Sequence, residues 1–526
     1  MLIFFLSSEK KSQQRLRLNP YLSSVPVMMS KNKKSIFALI MALLLHIGAV
    51  AGPEPGRLDV VITIGENGKR CVVEGKYRGE GAGGQRNLSF VDSYADADGL
   101  AKRVLNPTAT GRDGRPLQLR KFSAGEYVAS GPIYGFNYQF ELPPPEPLIA
   151  APHVSWYASA INSWTDGERA LLKLGDILPE AKAAVVGVKF LVPKGWSIVT
   201  PENSVARHEF ETEDPDDAVF LTGTRLRIQS RTLKETRIEF SVADQWQFDD
   251  DMVADMTVEI LGEYRKLFGS MPRSRIQINL LKFPAKIEND RWRAQTQGGT
   301  ITVVSASSTY PNLAPQRLHE QLRHEIFHLW IPESVNLEGD YAWFYEGFAQ
   351  YQSLKTGVWV GRLTFEDFLR SMSEAINIAS FDQSRLSLPE LSLNRWQSGP
   401  GVVSARGMSV AFLCDLLLLE RSNRKRSIGD LLRNIFENHG SESEATPAGI
   451  AIENELSAYA ELREVLERQI NGNETVDWKA ALIAFGIEAE PRGGRLTLSL
   501  AAKPNGRQKA LLKKLGYNRW QSLPRF

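Results

Sequence analysis

The chain has 526 residues, 43% of them hydrophobic and 24% charged, with a formal charge of +2. That length divides into two or three domains, and the balance is that of a soluble globular protein. Both signs of charge are spread along the sequence, with no Lys/Arg run long enough for a nucleic-acid tail, so no nucleic-acid partner is expected.

The first 52 residues read as a leader. Lys31, Lys33 and Lys34 precede an apolar run from Ile36 to Val50, and Ala49-Val50-Ala51 closes it with small residues. This is the order of a secretory signal peptide, with cleavage expected after Ala51 and a periplasmic or secreted protein as the result. The run is shorter than the ~20 apolar residues of a spanning helix, and His46 interrupts it. The competing reading is an uncleaved anchor, the one route by which a membrane enters. Residues 1–27 sit upstream of any ordinary leader, and Met28 or Met29 suits a start better. Cys71 and Cys414 lie far apart, and Cys414 falls in the apolar run Val410 to Leu419, which reads as buried helix. Free buried thiols are expected rather than a bridge.

From Arg57 to Val242 the dominant period is two. Leu58 to Ile64 opens it, Thr236 to Val242 closes it, and Gly/Asp/Asn-rich breaks such as Gly79 to Asn87 separate the strands. The pattern predicts antiparallel β in two layers, with one short helix near Ala181 to Ala184. At Phe248 the pattern changes. Asp249, Asp250 and Asp251 suit a helix N-terminus, Met256, Ile260, Tyr264 and Leu267 follow at helical spacing, and Gly269 ends the run. A strand through Ile276, Ile278 and Leu280 comes next, and Gln297-Gly298-Gly299 introduces another over Thr300 to Ser305. After Pro315 the chain is expected to be mainly helical to about Gly486, with a small appendage or loosely held tail beyond.

The chemistry lies in His324-Glu325-Ile326-Phe327-His328. Two histidines four apart on a helix share a face and can converge on one ion. The glutamate beside the first lies about a quarter-turn round and reaches a water near the metal without being a ligand, as a general base must. Downstream, Trp343 to Tyr351 reads as a second helix whose Glu346 is a natural third ligand. Gly347 would let the two helices approach, and Gln350 would hold a ligand imidazole from behind. Glu333, Glu338 and Asp340 in the intervening loop are rival ligands, otherwise solvated charges. His319-Glu320 is read as exposed or supporting the ligands.

The segments His324 to Trp330 and Trp343 to Ala349 resemble the glycyl aminopeptidase family of gluzincin zinc metallopeptidases, relatives of aminopeptidase N. Weaker similarity extends to Gly167–Glu180, Val192–Trp196, Arg406-Gly407 with Val410–Glu420, and Val476–Ile487. The resemblance implies an α+β multidomain chain. Residues 1–52 would form the extension and signal peptide, 53–245 an N-terminal antiparallel β-sandwich, 246–385 a thermolysin-like catalytic domain with the HExxH helix, 386–490 a C-terminal α-helical domain and 491–526 a tail. It further implies one Zn2+ per chain on His324, His328 and Glu346, with Glu325 as base and a peptide or protein as substrate.

Three departures from the family pattern stand out. The strand that usually carries a glutamate for the substrate's amino terminus matches Gly298-Gly299-Thr300-Ile301-Thr302, which has no carboxylate. The oxyanion-stabilising tyrosine, three residues before a glycine, falls at Ser404. Arg406, or Tyr341 or Tyr345 from the loop, stand as substitutes, the alternative being a slow enzyme. The stretch after Gly486 is shorter than the about 80–100 residues of the family's terminal PDZ domain. Peptide-bond hydrolysis is the function expected. Its rivals are a catalytically weak zinc protein that grips peptides or partner proteins and, with slighter support, an epoxide or ester hydrolase on the same scaffold.

Overall fold

The structure, a computed structural model, describes residues 56–517 apart from 66–67, 95–96, 145–161, 284–291 and 307–312. The leader, its cleavage site and the alternative starts lie outside the described residues.

Alternation does build the N-terminal part. Along Arg57–Ile64 the residues Leu58, Val60, Ile62 and Ile64 are buried and their neighbours are half-exposed, so one face of the strand meets a core. This strand lies inside an eight-stranded sheet between Arg70–Arg78 and Val185–Leu191. The pairing with Val185–Leu191 is parallel, Ile62 opposite Phe190, while the sheet's other pairings are antiparallel. The expectation of antiparallel strands is corrected at that one pair, because alternation reports which face is buried and not which way the neighbour runs. The short helix appears as a single turn at Leu174–Ile177; residues 181–184 are irregular.

A four-stranded sheet forms the second layer, in the order Trp164–Thr165, Arg169–Lys173, Val219–Gly223, Ser197–Val199. Ala170, Leu172 and Phe220 face the eight-stranded sheet. Leu171, Val219 and Leu221 face the other way, onto Leu281, Phe283 and Val304. Burial on both faces explains why Ala170-Leu171-Leu172 reads as a continuous apolar run.

The next sheet has five strands, in the order Arg227–Leu233, Thr236–Val242, Arg275–Lys282, Thr300–Ser305, Trp292–Gln297. The hairpin Arg227–Val242, expected within 53–245 as part of the N-terminal sandwich, therefore belongs to this third sheet. Its strand Thr236–Val242 pairs parallel with Arg275–Lys282, Ile238 opposite Ile276. Periodicity could not show this, since a half-buried strand alternates alike in either sheet.

Helix α1 (Asp250–Phe268) is capped by Asp249, whose side chain accepts from Met252 N, and ends at Gly269 with φ 91°. It covers one face of this sheet together with α2 (Leu313–His328). Then come α3 (Ala342–Trp359), α4 (Phe365–Ser380) and α5 (Pro400–Arg421). One apolar cluster runs from the sheet through all five helices to Leu515, so no break in the core marks residue 385. Helix α5 is long and apolar enough to cross a bilayer but is 83% buried within the protein. Cys71 and Cys414 are buried and unpaired.

As far as the described residues reach, to Tyr517, the tail is not loose. The hairpin Ile487–Arg492/Arg495–Leu500 lies on α4, where Leu498 N donates to Ser373 Oγ at 2.9 Å and Asn377 bonds both backbone groups of Leu496 at 2.8 Å. Helix Gly506–Lys514 then buries Leu511 and Leu512. Its Lys and Arg residues masked the apolar positions in a short amphipathic pattern.

Candidate metal centre

Helix α2 is buried over most of its length, including polar positions. His324 and His328 bring their Nε2 atoms to 3.0 Å of each other, as i, i+4 spacing demands. Glu346, in the first turns of α3, places Oε2 3.2 Å from His324 Nε2 and 3.8 Å from His328 Nε2. Ligand atoms from all three residues lie within 4.8 Å of one another, and among the described residues this is the group of His, Cys, Asp and Glu placed to hold a metal. His328 Nδ1 sits 3.0 Å from the Ile331 carbonyl; donating that proton leaves the Nε2 lone pair for a metal. Burial pushes His324 down to about 3 and His328 down to about 4. Both rings are thus neutral at pH 7, the state in which imidazole binds a metal. Two neutral imidazoles and one carboxylate fit zinc with an open fourth position.

Glu325 is fully buried, with Oε2 2.8 Å from the Thr296 hydroxyl and Oε1 without a hydrogen-bond partner. Burial raises its carboxyl to about 8; the Thr296 hydrogen bond opposes this and the charge of Glu346 adds to it. A cation held by His324, His328 and Glu346 would draw that value back down. Thr296 was not marked by the sequence. It lies on the strand Trp292–Gln297, at the end of its sheet and against α2, where alternation turns Trp292, Ala294 and Thr296 toward the helix. The strand beside the centre is thus Trp292–Gln297. Gly298, with φ 56°, turns the chain into Thr300–Ser305, which runs inside the sheet. Gln295, on the opposite face, accepts from the buried Lys173 ammonium at 2.7 Å and donates to Tyr94 at 2.6 Å.

Several expected roles change. Gly347 serves the approach of α3 to α5 rather than to α2: a Cβ there would stand 2.4 Å from the Gly407 carbonyl carbon, and one on Gly407 1.9 Å from Trp343 O. Gln350 makes no hydrogen bond to an imidazole and lines a cavity instead. Glu333 is buried and accepts from Gly298 N at 2.8 Å, while Glu338 is exposed and Asp340 accepts from Ala342 N. His319 is fully buried, 2.5 Å from Arg323 Nη1 and 3.3 Å from Glu259.

The oxyanion candidates also separate. Arg406 Nη1 donates to Asp382 Oδ2 at 3.0 Å and to the Leu386 carbonyl at 2.7 Å, so its guanidinium is held on another side of α5. Ser404 is buried on α5. Tyr345 turns its ring against His328, centroids 6.0 Å apart, and accepts from Arg395 Nη1 at 2.7 Å. Tyr341 packs edge-on against Tyr345 at 5.1 Å, its buried hydroxyl without a partner.

No family model matches the sequence, and no curated protein matches it. Solved structures do. An aminopeptidase N family protein from Idiomarina loihiensis aligns with a TM-score of 0.67 at 16% identity, over 83% of this chain and 79% of that one. An M1 zinc metallopeptidase mutant from Deinococcus radiodurans, bound to a Tyr-Ser-Ala substrate, aligns at 0.53 and 14%, over 81% and 95%. Another structure of an M1 zinc metallopeptidase from that organism gives 0.51 and 15%, over the same shares. At these identities the likeness is one of fold: a sheet-rich N-terminal part, a zinc-peptidase scaffold and a helical C-terminal part.

Proposed function

We propose that this chain, built on the fold of M1 zinc metallopeptidases, is an exported zinc-dependent peptidase. The observation that carries the reading is the convergence of His324, His328 and Glu346 beside a buried Glu325 with one free carboxylate oxygen. Export rests on the pattern from Lys31 to Ala51. His324, His328 and Glu346 would hold one zinc per chain, which supplies Lewis-acid polarisation of a peptide carbonyl and acidification of a water. Glu325 takes that water's proton on Oε1 and passes it to the leaving amine, while Thr296 fixes the other oxygen. The Ile331 carbonyl holds His328 in the tautomer that binds.

Charge gathers on the carbonyl oxygen during attack, and a positioned donor there is worth roughly 2.7–4 kcal/mol. We assign that donor to the phenols beside His328, Tyr345 with Tyr341 behind it, in place of Ser404 and Arg406. Arg395 Nη1 donates to the Tyr345 hydroxyl oxygen at 2.7 Å, which orients the phenol and leaves its O–H to donate. The peptide bound to the Deinococcus protein agrees with a peptide substrate here.

The test is a zinc-replete preparation offered a peptide library. Cleavage that stops on chelation and returns with zinc is the expected result. Peptide binding without cleavage supports instead a zinc-binding protein that grips peptides with the same cleft. Products that are single amino acids mark an exopeptidase, internal cuts an endopeptidase.

A further inference from the structure

The even balance of charge over the whole chain conceals one local excess. From Ile487 to Tyr517 seven residues are Lys or Arg and two are acidic, in a chain of 63 basic and 61 acidic side chains. Helix Gly506–Lys514 holds the densest part and contains no acid. Its spacing divides it into two sides. Leu511, Leu512 and, just beyond the helix, Leu515 are buried, while Lys509, Lys513 and Lys514 are exposed opposite them. Arg507 reaches Glu420 at 3.7 Å. Among the described residues no ion pair engages the three lysines.

Large apolar side chains exposed singly are common on a soluble protein. Here three of them border one helix. At its start Gln508 Nε2 donates to the Ile483 carbonyl at 3.0 Å, and Ile483 is 67% exposed. At its end the chain turns through Gly516, where a Cβ would stand 2.3 Å from Cδ1 of Trp359. Trp359 is 58% exposed and Tyr517 42%. A basic face framed by an indole, a phenol and an aliphatic side chain suits a lipid surface. Lysine ammonium groups reach headgroup phosphates from flexible stems that tolerate an apolar boundary. The indole and phenol favour the headgroup level, and an exposed isoleucine gains by entering the acyl boundary. A nucleic acid would use the charges and stack on the rings, yet it offers nothing to Ile483.

We infer that the exposed face of Gly506–Lys514, with Ile483, Trp359 and Tyr517, docks the protein on a bilayer containing anionic phospholipid. The helix keeps its apolar side in the protein core, so docking is peripheral, electrostatic and reversed by salt. Export, as proposed above, leaves the chain within reach of such a surface. The docking face does not depend on the peptidase reading, because none of its residues belongs to the metal centre.

Vesicle co-sedimentation tests it, with the zinc-loaded exported form that begins after Ala51 and keeps every described residue. Vesicles of phosphatidylcholine and phosphatidylglycerol in equal parts are expected to bind the protein, and vesicles of phosphatidylcholine alone to leave it in solution. Lys509→Gln, Lys513→Gln and Lys514→Gln together should weaken binding about 100-fold, each basic group near an anionic bilayer being worth about fivefold. Ile483→Gln should weaken it by about 10-fold. These side chains are exposed, so the unfolding midpoint, the zinc content and cleavage of a soluble peptide should stay those of wild type. Failure to bind the anionic vesicles, or equal binding to both kinds, overturns the inference, as does a triple variant that binds like wild type. A DNA oligonucleotide bound as tightly as the anionic vesicles, with no loss in Ile483→Gln, marks a general polyanion surface and also overturns it. Anionic-vesicle binding by a protein that cleaves no peptide leaves the docking face and removes the peptidase.

Discussion

The inner face of the eight-stranded sheet and the α2–α3 pair are both nearly sealed from solvent, yet they bury opposite kinds of group. In the sheet, Leu58, Val60, Ile62, Val73 and Phe190 pack an apolar core, and each such side chain contributes about 1.5–3 kcal/mol by leaving water. In the helix pair, His319, Arg323, His324, Glu325, His328 and Glu346 occupy equally buried positions, where every polar atom needs a partner or costs stability. The first region is built to fold. The second is held folded by its apolar neighbours, Phe327, Trp330 and Phe348 among them, so that polar groups can stay where water is excluded.

The largest expected effect tests the polar region by itself. Glu325→Gln should keep zinc and fold while turnover falls by about 10²- to 10⁴-fold, the share of a general base; near-normal cleavage by the zinc-replete variant sinks the assignment. The same variant reports the cost of burying the carboxylate. In metal-free protein the folded state keeps the Glu325 proton up to about 8, against an ordinary 4.5. The stability this gives is full below 4.5 and is lost as pH rises through 8. Metal-free Glu325→Gln should therefore gain on metal-free wild type between pH 5 and pH 8.5, read from urea unfolding at the two pH values. A constant difference would mean that the carboxyl is not desolvated.

The apolar region predicts the converse. Ile62→Ala should lower stability by about 2–5 kcal/mol and leave zinc content and kcat untouched at temperatures where the protein stays folded. If zinc were lost as well, the two regions would not be separable. Gly407→Ala stands between them. Its Cβ would sit 1.9 Å from Trp343 O, so α3 and α5 must part at a cost of about 1–3 kcal/mol. Glu346 rides on α3, so a zinc titration should show weaker binding too; unchanged affinity would show that α3 tolerates the shift. Arg406→Ala should have the smallest effect. Loss of its bonds to Asp382 and the Leu386 carbonyl costs about 1–3 kcal/mol at most, with kcat unchanged in a steady-state assay. A fall in kcat would return Arg406 to the reaction.

What was legible in the sequence was local. The four-residue spacing of His324 and His328 on one helix face, the carboxylate of Glu346 on the next helix, the Asp249 cap and the alternation of Leu58 to Ile64 each follow from backbone periodicity, which the order of residues contains. What the sequence left open depended on partners far along the chain. The parallel pairing of Arg57–Ile64 with Val185–Leu191, the sheet to which Arg227–Val242 belongs and the partner of Gly347 are decided by packing between elements. The same holds for single atoms. Thr296 reaches Glu325 from 29 residues away, Gly298 claims Glu333 from a distance of 35, and Asp382 and Leu386 hold Arg406. Periodicity specifies which face of an element is buried. Which groups meet on that face is settled only when the elements close on one another and each buried polar atom takes the partner within reach.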